Sequence, residues 1–400
     1  MGKNNFGRIR AQMERIDRAR DRRGVLGEYG TGDADFDEKM LELTSKRPRE
    51  ENFISVYGIE EVNRDLQEVE RIKESPWYQK ERPEKATIVE SVIAYGIAKR
   101  DWLGKGAKVY LTSKYDDFKR GVDMLVEVPH PDSPPDKRIS LGLVIDVTAS
   151  PDIDVIEKKI ANSIQRLDYG KYSRGNPGGQ LTTLKYMFEP NSNPKFDKSK
   201  RKYNHYVLAL DGFQAEELKE RFKDSEDKTY LELEAQIKII YLLRHQAYLQ
   251  LGEAMDRYCG FGQHVLPDYR RLPEEDKNDF EKLFNFVSNN LSLIEKHLKE
   301  TWIRKSFDKK LNQERTLEEN NSDIFISIKK NLALIRYLEN LLVSIIENEK
   351  EATKILDGAK NSSDFFVDDV GAHYLLSFDR RQFNDFSRSL HLPSFLRKIG

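Results

Sequence analysis

Three acids stand in runs that are otherwise apolar: Glu90 in TIVESVIAYGIA, Asp123 in GVDMLVEV and Asp146 in LGLVIDVTAS. A carboxylate among Val, Ile and Leu loses its hydration, so it must be paired, hydrogen-bonded or bound to a cation. Side chains alternate along a strand, which places Asp123 with Leu125 and Glu127 over residues 121–128. By the same rule Asp146 shares a face with Gly142, Val144 and Thr148 over residues 140–148. Glu90 lies in the row Ala86, Glu90, Ala94, Ala98 at spacing four, and small neighbours let a helix approach a sheet closely. A Glu from a helix and an Asp from each of two adjacent strands make the hard oxygen site that Mg²⁺ or Mn²⁺ prefers. Such an ion activates water and neutralises charge developing on a phosphodiester. The alternative is a structural polar cluster in which the acids bond to backbone or Arg groups.

At these residues the chain resembles the PD-(D/E)XK nuclease superfamily, whose core carries an acid on a first helix, an Asp on one strand and an acid-x-Lys on the next. The resemblance covers about residues 86–211. It implies metal-dependent hydrolysis of nucleic acid, with Asp123 and Asp146 on the metal and Glu90 completing or orienting the shell. The sequence departs from the pattern at Thr148, where the lysine should stand. In some members the basic residue comes from the following helix, and here that helix carries Lys158 and Lys159. On a helical wheel Lys159 falls at the edge of the apolar stripe of Ile153, Ile156, Ile160 and Ile164, and Lys158 on the far side. Lys159 is therefore the expected stabiliser of the attacking hydroxide or the phosphate. Gln165 and Tyr169 look like the Gln-x-x-x-Tyr element of the exonuclease branch. Asp116 and Asp117 are expected to cap a turn, with additional metal ligation as the alternative.

The elements that must position these residues are legible from period. Residues 86–99 read as a helix with Ile88, Val89, Val92, Ile93, Tyr95 and Ile97 around most of its circumference, hence buried on several sides. Residues 108–112, 121–128 and 140–148 are β-branched runs bounded by Gly, Pro and Asp and read as strands, the last two joined as an antiparallel hairpin. Residues 152–167 return to helical spacing, and 205–211 read as a fourth, buried strand. The predicted fold class is α+β: a small mixed sheet flanked by helices, followed by a helical bundle from 229–258, 274–307 and 323–356. The predicted division is a basic helical arm and linker over 1–50 (helix 6–23, linker 24–51), an α/β unit with leading helices over 51–212, the bundle over 213–360 and an aromatic docking tail over 361–400.

Composition bounds the rest. Charged residues make up 34%, but 67 basic and 68 acidic side chains leave a net charge of −1, so partners must be read from patches. The Lys-rich loop 195–202 and the N-terminal helix would track a nucleic-acid backbone, DNA and RNA being indistinguishable. A single cysteine, Cys259, forms no internal disulfide and fits a reducing cytoplasm. No membrane span is expected. The seven histidines lack zinc spacing, and Gly260-Phe261-Gly262 lacks a Walker lysine. A second function class remains in view: a nuclease-like fold that has lost its lysine and binds a protein partner through the bundle.

Overall fold

The computed structural model describes residues 31–76, 84–132, 140–150, 153–165, 181–187, 202–224, 228–261, 280–305 and 311–348. The N-terminal helix, Tyr169, loop residues 195–201 and the aromatic tail lie outside them, as do the side chains of Gln165 and Cys259. Among the described residues, no helix is long and apolar enough to cross a membrane.

The first described helix, α1 (Ala34–Thr44), corrects the expectation of a linker over 24–51. Asp33 caps it by accepting from the Asp35 and Phe36 amides, and Phe36 and Met40, one turn apart, are buried in the main core. Two well-placed apolar residues were enough to dock a helix too polar to be recognised by its period. Helix α2 (Ile59–Lys73) follows, and then α3 (Glu84–Lys99), whose Ile88, Val89, Val92, Ile93 and Ile97 are buried as predicted.

Three antiparallel strands follow α3: β1 (Lys108–Leu111), β2 (Met124–Pro129) and β3 (Ser140–Thr148). Between β1 and β2 sits a short helix that the strand pattern concealed, α4 (Lys114–Arg120). Ser113 caps it through the Asp116 amide, and Gly121 ends it at φ +60°, a left-handed conformation that glycine adopts freely. Helix α5 (Ile153–Gln165) crosses from β3 to β5 (Lys202–Ala209), which pairs parallel to β3, and the short β4 (Thr182–Thr183) adds to the far side of β5. The sheet order is β1-β2-β3-β5-β4, a mixed sheet with helices packed on it, as expected.

The helices after the sheet are α6 (Gly212–Asp224), α7 (Tyr230–Phe261), α8 (Phe280–Lys305) and α9 (Leu311–Asn348). Helix α7 packs on α9 and on β5. Because β4 pairs with β5 only at Lys202 and Tyr203, the rest of that edge needs other partners. Helix α7 supplies them: the Gln246 side chain accepts from the Val207 amide at 2.8 Å and donates to its carbonyl at 2.7 Å, and Gln250 donates to His205 O at 2.7 Å. The apolar core consequently runs without a break from Val126 and Ile145 in the sheet through Val207 to Leu243 and Leu334 in the helices.

Candidate metal and phosphate site

The site is assembled where β2 begins and β3 ends. The ladder register pairs Met124 with Ile145, so one step further Asp123 stands opposite Asp146 on the same face. Strand β2 starts one residue after Asp123, yet the Asp123 amide donates to Ile145 O at 2.8 Å and its carbonyl accepts from Thr112 at 3.0 Å. Its backbone is thereby fixed between β1 and β3. One side-chain oxygen accepts from the Val147 amide at 2.5 Å.

Lysine 159 reaches this point from α5. Its Nζ lies 2.8 Å from Asp146 Oδ1 and 3.3 Å from Val147 O. Ile156, Ile160 and Ile164 bury one face of α5, which leaves Lys159 at the rim of that stripe and Lys158 exposed. Thr148, at the position of the missing lysine, is buried, and its hydroxyl accepts a long bond, 3.4 Å, from the Ser150 amide.

Glu90 comes up from α3, with Arg47 Nη1 at 3.6 Å from its Oε1. Arg47 is the residue the sequence reading missed, since it sits in the stretch without apolar period. It is almost wholly buried, donates from Nε to Thr112 O at 2.6 Å, and brings Nη2 to 3.3 Å from Asp117 Oδ2. The adjacent acids 116 and 117 therefore part company. Asp116 is a structural cap, fully buried, accepting from the Lys185 and Tyr186 amides at 2.9 Å each. Asp117, about 100° further round α4, turns to the site side, where Arg47 Nη2 meets it. The signal for α4 was present in Ser113 and Gly121, a cap and a stop eight residues apart.

Electrostatics follow from this crowding. Burial is the main cause that raises Glu90 to about 7, with Arg47 opposing and Asp123 adding to the rise. Burial likewise lifts Asp117 to about 7; Arg47 opposes it, and Glu90 and Asp146 push the same way as burial. Asp123 is pushed well above the usual carboxylate range by burial first, then by Asp117 and Asp146. Buried carboxylates that raise one another hold protons, and a hard cation can take a proton's place. The donor chemistry thus fits Mg²⁺ or Mn²⁺. As the side chains stand, no group of three or more His, Cys, Asp or Glu among the described residues is gathered closely enough to hold a metal ion. Arg47, Lys159 and the Val147 amide each hold one of the carboxylates.

Comparison with known proteins adds no family. No protein-family model, no curated protein and no solved structure matches this chain.

Proposed function

We propose that the protein is a Mg²⁺- or Mn²⁺-dependent nuclease-like hydrolase of phosphodiester bonds, related to the PD-(D/E)XK superfamily through its α/β unit. The observation that carries the reading is the ammonium of Lys159, 2.8 Å from Asp146 and delivered by the helix after the strand that lacks a lysine. The order of a helix, three antiparallel strands, a crossover helix and a parallel strand supports it. Asp123 and Asp146 would hold the metal, and Glu90 would complete or orient the shell. The metal would supply a Lewis acid and a water acidified enough to attack at neutral pH.

The chain's own residues do the remainder. Lys159 brings its ammonium group to Asp146, where it would stabilise an attacking hydroxide or a non-bridging phosphate oxygen. Glu90 and Asp117, both lifted to about 7 chiefly by burial, are suited to take or return a proton near neutral pH. Arg47, tied to Thr112 O, holds these two acids in orientation and limits their mutual repulsion.

A second reading is favoured by one contact, the Arg47 guanidinium beside Glu90. In a binding protein that has retired its chemistry, such a pair would be permanent and the helical bundle would carry the function. Mn²⁺ calorimetry on the full chain and on Asp146→Ala, followed by cleavage of single- and double-stranded DNA and RNA, separates the two. The hydrolase reading expects binding that disappears with Asp146, and cleavage that disappears with Asp146 and with Lys159→Ala. No binding at millimolar Mn²⁺ and no cleavage would hand the protein to the second reading.

A further inference from the structure

The same edge of the sheet carries an aromatic side chain with no evident role in folding. Strands β3 and β5 run parallel and end together, with Leu210 N donating to Thr148 O at 3.3 Å. Three residues later Phe213 stands 74% exposed on the first turn of α6. Burying a phenylalanine gains about 1.5–3 kcal/mol, so one left in water gives up that gain. It is held in place nonetheless: its amide donates to Asp211 Oδ1 at 2.8 Å, and Lys85 Nζ lies 3.7 Å from its ring centroid. Gly212 permits the approach, because a Cβ there would stand 3.0 Å from Lys85 Cδ. Lys85 and Glu90 belong to α3 and are about 7.5 Å apart along its axis. Those five residues also turn Lys85 about 140° around α3 from Glu90, so the aromatic ring with its cation and the acids lie toward one end of the sheet but on different sides of α3.

We propose that Phe213, backed by Lys85, is a stacking platform for an unpaired base, and that the substrate of the acid site is single-stranded nucleic acid or a single-stranded end. Lys85 lies over the ring, and the residue as a whole stays largely exposed. Every base has a π-face, so stacking there is tolerant of sequence, while the lysine attracts the adjoining phosphate. A base inside a duplex is already stacked and cannot use the platform. The inference rests on the nucleic-acid reading of the acids, but it concerns binding and is measured apart from hydrolysis.

The test is fluorescence anisotropy of a labelled oligothymidylate of about 16 nucleotides, matched to the upper range of single-strand sites, with the full chain in millimolar Ca²⁺. Phe213→Ala is expected to weaken binding about tenfold or more, and Phe213→Trp to keep it. Lys85→Gln is expected to lower the slope of log affinity against log salt by about one unit. A duplex of the same length should be indifferent to Phe213→Ala. Equal single-strand affinity of wild type and Phe213→Ala, an equal loss on duplex, or no binding by the wild type would each overturn the platform. Metal-dependent cleavage that is unaffected by Phe213→Ala would leave the hydrolase standing without it. A Phe213-dependent affinity with no cleavage in Mn²⁺ would leave a single-strand binding protein and remove the hydrolase.

Discussion

At the scale of single residues, the site is a balance between burial and two cations, and the balance has a direction in pH. Glu90 and Asp117 are both lifted to about 7, mainly by burial. Their unfolded values lie near 4, so the folded chain binds more protons than the unfolded chain between these limits. The contribution of these acids is fully present below about pH 4 and is lost as pH rises through about 7. In EDTA, stability is therefore expected to fall between pH 5 and pH 8, by on the order of a few kcal/mol, read from urea midpoints at constant ionic strength. A flat or rising profile in that window would mean that the acids are ionised without penalty. Arg47→Met sharpens the point. At pH 7.5 it leaves two half-buried acids without their guanidinium and should cost about 3 kcal/mol. At pH 5, where both are protonated, the charge pairing is gone and the loss falls to that of neutral hydrogen bonds such as the one to Thr112 O, so the cost should shrink to about 1 kcal/mol. An equal loss at both pH values would reduce Arg47 to packing.

At the scale of elements, the acids were readable because strands and a well-buried helix announce themselves by period, whereas their supports do not. Helix α3 was legible from six apolar residues, and alternation gave the face of each aspartate on its own strand, while the register that sets Asp123 opposite Asp146 came only with the sheet. Arg47 was not legible, since it acts through one long side chain from a segment with hardly any apolar pattern. Nor was the separation of Asp116 from Asp117, which depends on a seven-residue helix too short for a moment to register. Two substitutions test these supports. Asp116→Ala removes a fully buried acceptor of the Lys185 and Tyr186 amides and of an Arg120 ion pair at 3.0 Å. It should cost about 3 kcal/mol in chemical denaturation while leaving Mn²⁺ binding intact, because Asp116 points away from the site. Gly96→Ala sets two effects against each other. Alanine favours a helix interior by about 1 kcal/mol, but its Cβ would stand 2.6 Å from Cε2 and Cε3 of the fully buried Trp102 ring. Overpacking of about 1–3 kcal/mol should prevail, and a thermal midpoint lower than wild type is the expected reading.

At the scale of the whole molecule, a sequence that reads as two successive architectures closes around one core. The composition shift after β5 suggested an α/β unit and then a bundle, since local patterns report what each segment is and not what it touches. The contacts that join them are made by Glu232 on α7, which takes Arg100 at 2.7 Å and the Trp102 indole N–H at 3.1 Å, and by Gln246 along Val207. Tyr206, Val207 and Leu208 are fully buried within the shared core. Tyr206, which meets Asn331, and Leu208 share the face that the helices cover, and uncovering two such residues forfeits about 4 kcal/mol, against a total stability of about 5–15 kcal/mol for a typical domain. The sheet is therefore not expected to survive without the helices behind it. Full-length protein should unfold in one transition, with the Trp fluorescence and far-UV circular dichroism curves superimposing in urea. A chain ending at Lys228 should give no sharp transition and should bind a hydrophobic dye in buffer. If that shorter chain folded cooperatively, the helices would be an appended module. A partner bound to them could then not act on Asp123, Asp146 and Lys159 through the packing described here.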